Sequence, residues 1–164
     1  MKRVYTDKKG RRRPLTSRKR YYFPVKSDTV EFQSTTLSPY HKGEMANAVD
    51  IAVPVGTEVY ASRSGRVKDV GEDADGNKYV DIDHLDCEIT DYSHLSKALV
   101  RKGQEVVEGQ VIGLSGDTGD LGGLPPHLHF EVDALDQTEG KPQSLKFEWV
   151  PGSRPTKTKR KDSE

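Results

Sequence analysis

The amino-acid sequence predicts an all-β fold, a two-layer antiparallel sandwich or partly open barrel. Many short stretches alternate apolar and polar residues, and glycine-containing turns separate these stretches. Only one short stretch, LSKALV at residues 95–100, has a helical pattern. A chain of 164 residues has room for one ordinary domain with a single core.

The first predicted strands lead into a hairpin. Residues 45–62 (MANAVDIAVPVGTEVYAS) alternate larger apolar residues with alanine and Asp50, and residues 65–70 (GRVKDV) continue the pattern. Residues 71–85 (GEDADGNKYVDIDHL) are typical of two strands joined by a tight turn at Asp75-Gly76. The first half of the domain is therefore expected to be a set of antiparallel strands.

The second half ends in a strand that carries two histidines. Residues 89–95 (ITDYSHL) predict one strand, and residues 102–119 (KGQEVVEGQVIGLSGDTG) predict two short strands bent at glycines. In PPHLHFEV, residues 125–132, the prolines restrict the approach to a strand on which His127 and His129 share one face. Their backbones would lie about 6–7 Å apart, so both imidazoles could converge on one metal ion, although solvent-facing histidines would show the same local pattern.

Basic residues are concentrated at the two ends of the chain. Residues 1–20, 21–150 and 151–164 have net charges of +9, −12 and +3. The end segments lack apolar periodicity, so we expect two disordered basic tails on a central domain of residues 21–150. The tails suit either no partner or an anionic polymer or membrane surface. No motif indicates specific nucleic-acid recognition.

Composition excludes several other features. A single cysteine, Cys87, excludes an internal disulfide and a zinc site built on several cysteines. No stretch reaches the roughly 18 apolar residues of a transmembrane helix, and no apolar core follows the basic N-terminus as in a secretory signal. We expect a monomer that is cytoplasmic at synthesis.

The remaining candidates for chemistry are histidines and one aspartate. The histidines are His41, His84, His94, His127 and His129. Imidazole is a common zinc ligand, and a catalytic zinc typically has three protein ligands. Asp50, within an apolar strand, is either a surface carboxylate or a ligand. His84 follows Val80 and Ile82 on one strand face, so we expect it to be packed and hydrogen-bonded.

Four segments in this order resemble the lysostaphin/LytM-type zinc endopeptidases. They are HKGEMANAVDIAVPVGTEVYASRSGRV, DYSHL, VVEGQVIGLSGDTG and PPHLHFEV, and together they run from about residue 40 to residue 132. The resemblance implies a two-layer antiparallel sheet, similar to the duplicated hybrid motif, with a substrate groove. It also implies hydrolysis of peptide cross-links of bacterial cell-wall peptidoglycan by metal-activated water, with one Zn²⁺ as cofactor.

The resemblance also implies the site residues. The zinc ligands would be His41, Asp50 and His129, and the histidines that flank the attacking water would be His94 and His127. One departure concerns His41: eight residues separate it from Asp50, whereas three are usual in the family. Residues 48–52, AVDIA, match the longer version of this segment that some members carry.

Two other classes are compatible with parts of the sequence. A catalytically inactive LytM-like module that binds or activates other hydrolases would be expected to lack some ligands, and all are present here. A carrier or phosphotransfer domain would share the glycine-turn segments but would not need Asp50 beside a metal. The bond cleaved stays open between Gly-Gly bridges, D-Ala–diaminopimelate links and other peptides. The route to a wall also stays open, between lysis, phage-associated release and non-standard export.

Overall fold

The computed structural model describes residues 4–7, 9–26, 30, 32–34, 47–135 and 143–153. These residues form β-strands and turns without a helix, so none of them provides a helix able to cross a membrane. The strands are β1 (Val4–Thr6), β2 (Arg12–Pro14), β3 (Thr16–Tyr21), β4 (Phe32–Ser34), β5 (Val49–Ala52), β6 (Glu58–Tyr60), β7 (Gly65–Glu72), β8 (Lys78–Asp83), β9 (Glu88–Ala98), β10 (Glu105–Val106), β11 (Val111–Ser115), β12 (His127–Ala134), β13 (Gln143–Ser144) and β14 (Lys146–Trp149).

Ten of these strands form one antiparallel sheet. Its main path runs β10-β7-β8-β9-β12-β5-β4, β11 pairs with β6 and β9, and β13 pairs with β12. Within the described residues the path ends at β10 and β4 and does not close. The all-β antiparallel prediction is therefore confirmed, in its open sandwich form rather than as a barrel.

The central strand β12 shows why one face of this sheet is the core. Leu128, Phe130 and Val132 alternate along it and are fully buried on one face. The other face carries His127, His129 and the acidic residues that follow them, as the strand period of two requires. The sheet therefore separates an apolar layer from a polar layer that holds the candidate site.

A second layer covers the apolar face. Strand β14 pairs in parallel with β3, and its Phe147 and Trp149 pack against Phe130 with ring centroids 5.6 and 5.4 Å apart. Phe23 lies 4.9 Å from Trp149, and Tyr21 lies 5.7 Å from Phe147. Aromatic pairs at these separations are favourable beyond their buried area. Residues from both ends of the chain thus complete the core.

The structure differs from the expected disorder of residues 1–20. Strands β1, β2 and most of β3 lie within this segment, and the Ser17 hydroxyl hydrogen-bonds the Glu88 carboxylate at 2.5 Å. Asp7, only 2% exposed, accepts hydrogen bonds from the side chains of Arg11 and Arg13. One contact joins residues far apart in sequence and the others are ion pairs. Apolar periodicity, on which the prediction of disorder was based, detects neither kind of contact. Of the C-terminal segment, residues 154–164 lie outside the described residues.

The helical pattern at residues 95–100 was also misleading. Residues 95–98 continue β9 to Ala98, because β11 pairs with them and the sheet outweighs a weak local preference. The hairpin prediction is confirmed: β7 pairs with β8, and Gly76 has the positive φ of 87° that such a turn favours. His84 is buried and hydrogen-bonded to Ser64 and Thr90, as predicted.

Candidate metal centre

Strand register brings the predicted site residues together. On β12, His129 lies opposite Asp50 of β5 on one side and opposite Ser93 of β9 on the other. Side chains directly opposite each other in an antiparallel pair project to the same face. Two segments far apart in sequence therefore place a carboxylate and an imidazole side by side on the polar face of the sheet.

The Asp50 carboxylate is the centre of this group. Its Oδ1 lies 3.3 Å from His129 Nδ1 and 3.5 Å from His127 Nε2. Asp50, His127 and His129 are 2%, 4% and 8% exposed. Zinc bonds of about 2.0–2.1 Å in a tetrahedral site put neighbouring ligand atoms about 3.3 Å apart. The donor types and their spacing therefore fit a zinc ion.

The orientation of His129 is set by a second carboxylate. Its Nε2 lies 3.2 Å from Glu131 Oε1, which leaves Nδ1 facing Asp50. Burial disfavours a charged imidazole here, but hydrogen bonds to Asp50 and Glu131 outweigh burial and raise the pKa of His129 to about 10. A position that stabilises a positive charge this strongly is electrostatically suited to a metal cation.

Glu131 belongs to a row of carboxylates that crosses the polar face. It lies opposite Asp91 of β9, which lies opposite Asp81 of β8, which lies opposite Asp69 of β7. The ligand atoms of Asp91, Glu131 and His129 lie within 4.8 Å of one another and could also hold a metal ion. The two donor sets share His129, whose Nε2 lies beside Glu131 and whose Nδ1 lies beside Asp50.

His127 presents its other nitrogen to the centre. Its Nδ1 lies 2.9 Å from the Pro125 carbonyl oxygen and donates to it, because a carbonyl can only accept. Nε2, 3.5 Å from Asp50 Oδ1, is then the nitrogen with the lone pair. The prolines of PPHLH thus hold a hydrogen-bond acceptor as well as restricting the backbone.

His94 completes the group from β9. Its ring centroid lies 5.0 Å from that of His127 and 5.9 Å from that of His129. Burial lowers the pKa of His94, and the two neighbouring histidines lower it further, although the Thr118 carbonyl partly opposes the shift. A neutral imidazole at physiological pH has a nitrogen able to accept a proton.

Four of the five predicted site residues therefore lie together, namely Asp50, His94, His127 and His129. His41 lies outside the described residues and stays a prediction. Sequence reasoning did not assign a role to Glu131, although its position two residues after His129 placed it on the same strand face. That spacing was the signal that could have identified it.

Comparison with known proteins decides the family. The model of Peptidase family M23 matches residues 44–144, more than half of the chain. The chain belongs to this family. The M23 match begins after His41 and includes the other four predicted site residues.

Curated relatives share part of this chain. Peptidoglycan DD-endopeptidase ShyA of Vibrio cholerae is 49% identical over 86 residues, which are 52% of this chain and 20% of ShyA. Lysostaphin of Staphylococcus simulans is 38% identical over 91 residues, 54% of this chain and 18% of lysostaphin. The matched part thus spans about a fifth of these longer relatives.

Solved structures share the M23 fold. A zinc-containing peptidase from Vibrio cholerae has a TM-score of 0.60 and 32% identity, covering 90% of this chain and 47% of that one. The catalytic domain of lysostaphin from Staphylococcus simulans has a TM-score of 0.55 and 31% identity, covering 70% of this chain and 88% of that one. The antiparallel sheet described above is therefore the fold of this family.

Proposed function

We propose that this M23 chain is a zinc metalloendopeptidase that hydrolyses peptide bonds in bacterial peptidoglycan cross-links. The observation that carries the proposal is the buried convergence of Asp50, His127 and His129, with His94 beside them. The substrate class is supported by the relative named as a peptidoglycan DD-endopeptidase.

Asp50 and His129 are the proposed zinc ligands from the described residues, and His41 is the proposed third. His129 is favoured over His127 because its second nitrogen hydrogen-bonds the Glu131 carboxylate, whereas that of His127 hydrogen-bonds a neutral carbonyl. A carboxylate partner makes a ligating imidazole more basic and fixes its orientation. When bound, the zinc ion supplies a Lewis acid for the scissile carbonyl and activates water.

His127 and His94 are the proposed acid–base residues. Hydrolysis forms a bond between the water oxygen and the carbonyl carbon, breaks the carbon–nitrogen bond and delivers a proton to the leaving amine. His127 holds Nδ1–H toward Pro125 and His94 holds Nδ1–H toward Thr118, so each has Nε2 available as a proton acceptor. One imidazole accepts the proton of the attacking water, and the other stabilises the oxyanion or protonates the amine.

The central experiment measures zinc content and cleavage together. The purified chain is expected to contain one zinc per molecule and to release new peptide termini from purified peptidoglycan, read by mass spectrometry. Chelation and the Asp50→Asn variant should remove both properties, since the variant keeps the side-chain shape but loses the charge that helps hold a dication. A chain that contains no stoichiometric metal, and to which none can be restored, would rule out the proposal.

We also propose that the basic strands near the N-terminus associate with an anionic polymer. Arg12, Arg18 and Lys19 are exposed, and Asp7, the acid nearest to Arg12 in sequence, is already paired with Arg11 and Arg13. Such a surface attracts polyanions, with a strength that falls as salt rises.

Matched triple variants test this association. Arg12→Gln/Arg18→Gln/Lys19→Gln should lower the salt concentration that elutes the chain from an immobilised polyanion. The control Lys97→Gln/Arg101→Gln/Lys102→Gln removes three exposed charges elsewhere and should have a smaller effect. If the two variants lower the eluting salt concentration equally, net charge alone explains the binding. If the chain binds anionic lipid vesicles and not the polyanion, a membrane surface is favoured instead.

A further inference from the structure

The backbone of His94 has a conformation that strands rarely contain. Its φ is 63°, in the left-handed region that disfavours residues with a Cβ. Tyr92 pairs with Val80 and Leu95 pairs with Lys78, so two residues of β9 lie where β8 has only one, and one residue is extra. Such a bulge redirects a side chain, and backbone strain of this kind persists only where surrounding contacts hold it.

Two short hydrogen bonds hold His94 in this conformation. Its backbone N–H donates to Asn77 Oδ1 at 2.7 Å. Its ring Nδ1 lies 2.7 Å from the carbonyl oxygen of Thr118 and therefore donates to it. The first contact fixes the backbone, and the second fixes the ring and its tautomer, which leaves Nε2 as the acceptor nitrogen.

Asn77 and Thr118 are themselves fixed by further contacts. Asn77 is 8% exposed, and its Nδ2 donates to Asp73 Oδ2 at 3.0 Å, which orients the amide so that Oδ1 faces His94. The Thr118 hydroxyl donates to the Leu95 carbonyl at 2.7 Å and accepts from the Lys78 N–H at 3.1 Å. The hairpin turn and the loop after β11 are thus tied to each other and to β9.

Glycine allows the loop to approach the hairpin this closely. A Cβ at Gly119 would lie 2.6 Å from Asn77 Cβ and 2.9 Å from Asn77 Cα, and the φ of Gly119 is +80°. A Cβ at Gly116 would lie 2.4 Å from the Ser96 nitrogen and 2.9 Å from the His94 carbonyl oxygen. Side chains at these two positions would push the loop away from Asn77 and His94.

We propose that Asn77 and Thr118 are positioning residues that hold His94 in its strained conformation with Nε2 directed for proton transfer. Neither needs to touch the substrate, because both act through His94. The proposal rests on the function proposed above, in which His94 handles a proton. It adds the hairpin turn and the loop after β11 to the parts of the fold on which turnover depends.

The test begins with Asn77→Ala in the zinc-loaded chain. We expect kcat on a peptidoglycan fragment to fall about 10–100-fold, the scale for a misplaced group, with KM and zinc content close to wild type. In ¹⁵N NMR spectra, His94 of the wild type should be the Nδ1–H tautomer, and the variant should lose this single state. A wild-type kcat together with an unchanged His94 spectrum would overturn the proposal.

A double exchange tests whether the contact itself matters. Asp73→Asn/Asn77→Asp reverses the donor and acceptor of the side-chain pair but keeps an oxygen acceptor, now of a carboxylate, facing the His94 N–H. It should recover kcat to within about threefold of wild type and restore the His94 tautomer. A general packing role for Asn77 would instead give a lower melting temperature without recovery, and that result would overturn the proposal.

Two further variants keep the result interpretable. If Asn77→Ala fails to fold, Thr118→Ala removes both hydrogen bonds of the Thr118 hydroxyl and should also lower kcat. Thr57→Ala, which changes a loop threonine hydrogen-bonded to Pro54, should not lower kcat. A Thr118→Ala chain that keeps wild-type kcat and the His94 tautomer would overturn the proposal. His94→Ala separates the proposed function from this inference. Full turnover in His94→Ala would show that His94 does not transfer the proton, whereas the NMR spectra of Asn77→Ala would still show whether Asn77 positions His94.

Discussion

At the scale of single residues, His127 and His129 are near equivalents in distance but differ in their partners. Asp50 Oδ1 is 3.3 Å from His129 Nδ1 and 3.5 Å from His127 Nε2, so distance alone does not distinguish a metal ligand from an acid–base group. The partner of the second nitrogen does, because that of His129 is an acidic side chain, Glu131, and that of His127 is the backbone carbonyl of Pro125. We therefore propose His129 as the metal ligand and His127 as the residue that transfers a proton.

This assignment predicts different losses in the two alanine variants. His127→Ala should keep near-stoichiometric zinc while kcat falls about 10²–10⁴-fold, the usual scale for an acid–base group. His129→Ala should lose both zinc and turnover, and some stability with them, because metal binding is coupled to folding. Zinc per chain and kcat, measured on the same samples, decide the matter. Equal zinc loss in both variants would make both imidazoles ligands.

A second residue-scale prediction concerns Glu131. Glu131→Ala should weaken zinc affinity about 10–100-fold, since an outer carboxylate orients the ligating imidazole and raises its basicity. Glu131→Gln should weaken it less, because an amide oxygen still accepts the His129 N–H. Competition with a chelator of known affinity measures both, with the exposed Glu105→Gln as control. An unchanged affinity in Glu131→Ala would mean that the hydrogen bond does not support the ligand.

At the scale of strands, like charges lie opposite one another across β7, β8, β9 and β12. Facing carboxylates repel, and burial adds to the cost of ionising them. Burial raises the pKa of Asp81, and the neighbouring Asp91 raises it further; burial also raises the pKa of Asp91 to about 6. A carboxyl group with a raised pKa in the folded state binds more protons there than in the unfolded chain. Its contribution to stability is therefore complete below the unfolded pKa and is lost as pH rises through the folded one.

Asp81→Asn tests this sign. The amide keeps the size of the side chain and cannot ionise, so the variant should gain on the order of 1 kcal/mol over wild type at pH 8 and little at pH 4. Urea unfolding of metal-free protein at the two pH values measures the difference. Stabilisation that is larger at pH 4 than at pH 8 would contradict the raised pKa.

The strands also show which parts of the site could be predicted from sequence. Period-two alternation placed His127 and His129 on one face, and β12 bears this out because its core face is continuously apolar. Asn77 and Thr118 could not be found in that way. Their role depends on a hairpin turn meeting a loop about forty residues later, a contact that no local pattern encodes.

At the scale of the whole molecule, β3 is part of the fold, although its residues 16–20 fall in the segment predicted to be a disordered tail. Tyr21 is fully buried, its hydroxyl donates to Glu88, and β3 pairs with β14. Residues 16–20 had the pattern of a tail because they include consecutive basic residues, whose side chains remain exposed, while Tyr21, in the predicted domain, anchors the strand. Charge composition therefore describes the surface of β3 and not its order.

Two truncations test how far the core extends. Removing residues 1–14 leaves β3 and Tyr21 in place, so we expect a small shift in melting temperature. Removing residues 1–22 deletes Tyr21 and the strand beside β14, which exposes the apolar contacts of Phe147 and Trp149. Loss of one buried aromatic side chain alone costs about 3–5 kcal/mol, a large part of the stability of a typical domain. The longer truncation should therefore melt much earlier or aggregate, and it should bind a dye for exposed apolar surface. Similar melting of both truncations and the full chain would show that the β3 layer does not support the core and that this segment behaves as a tail.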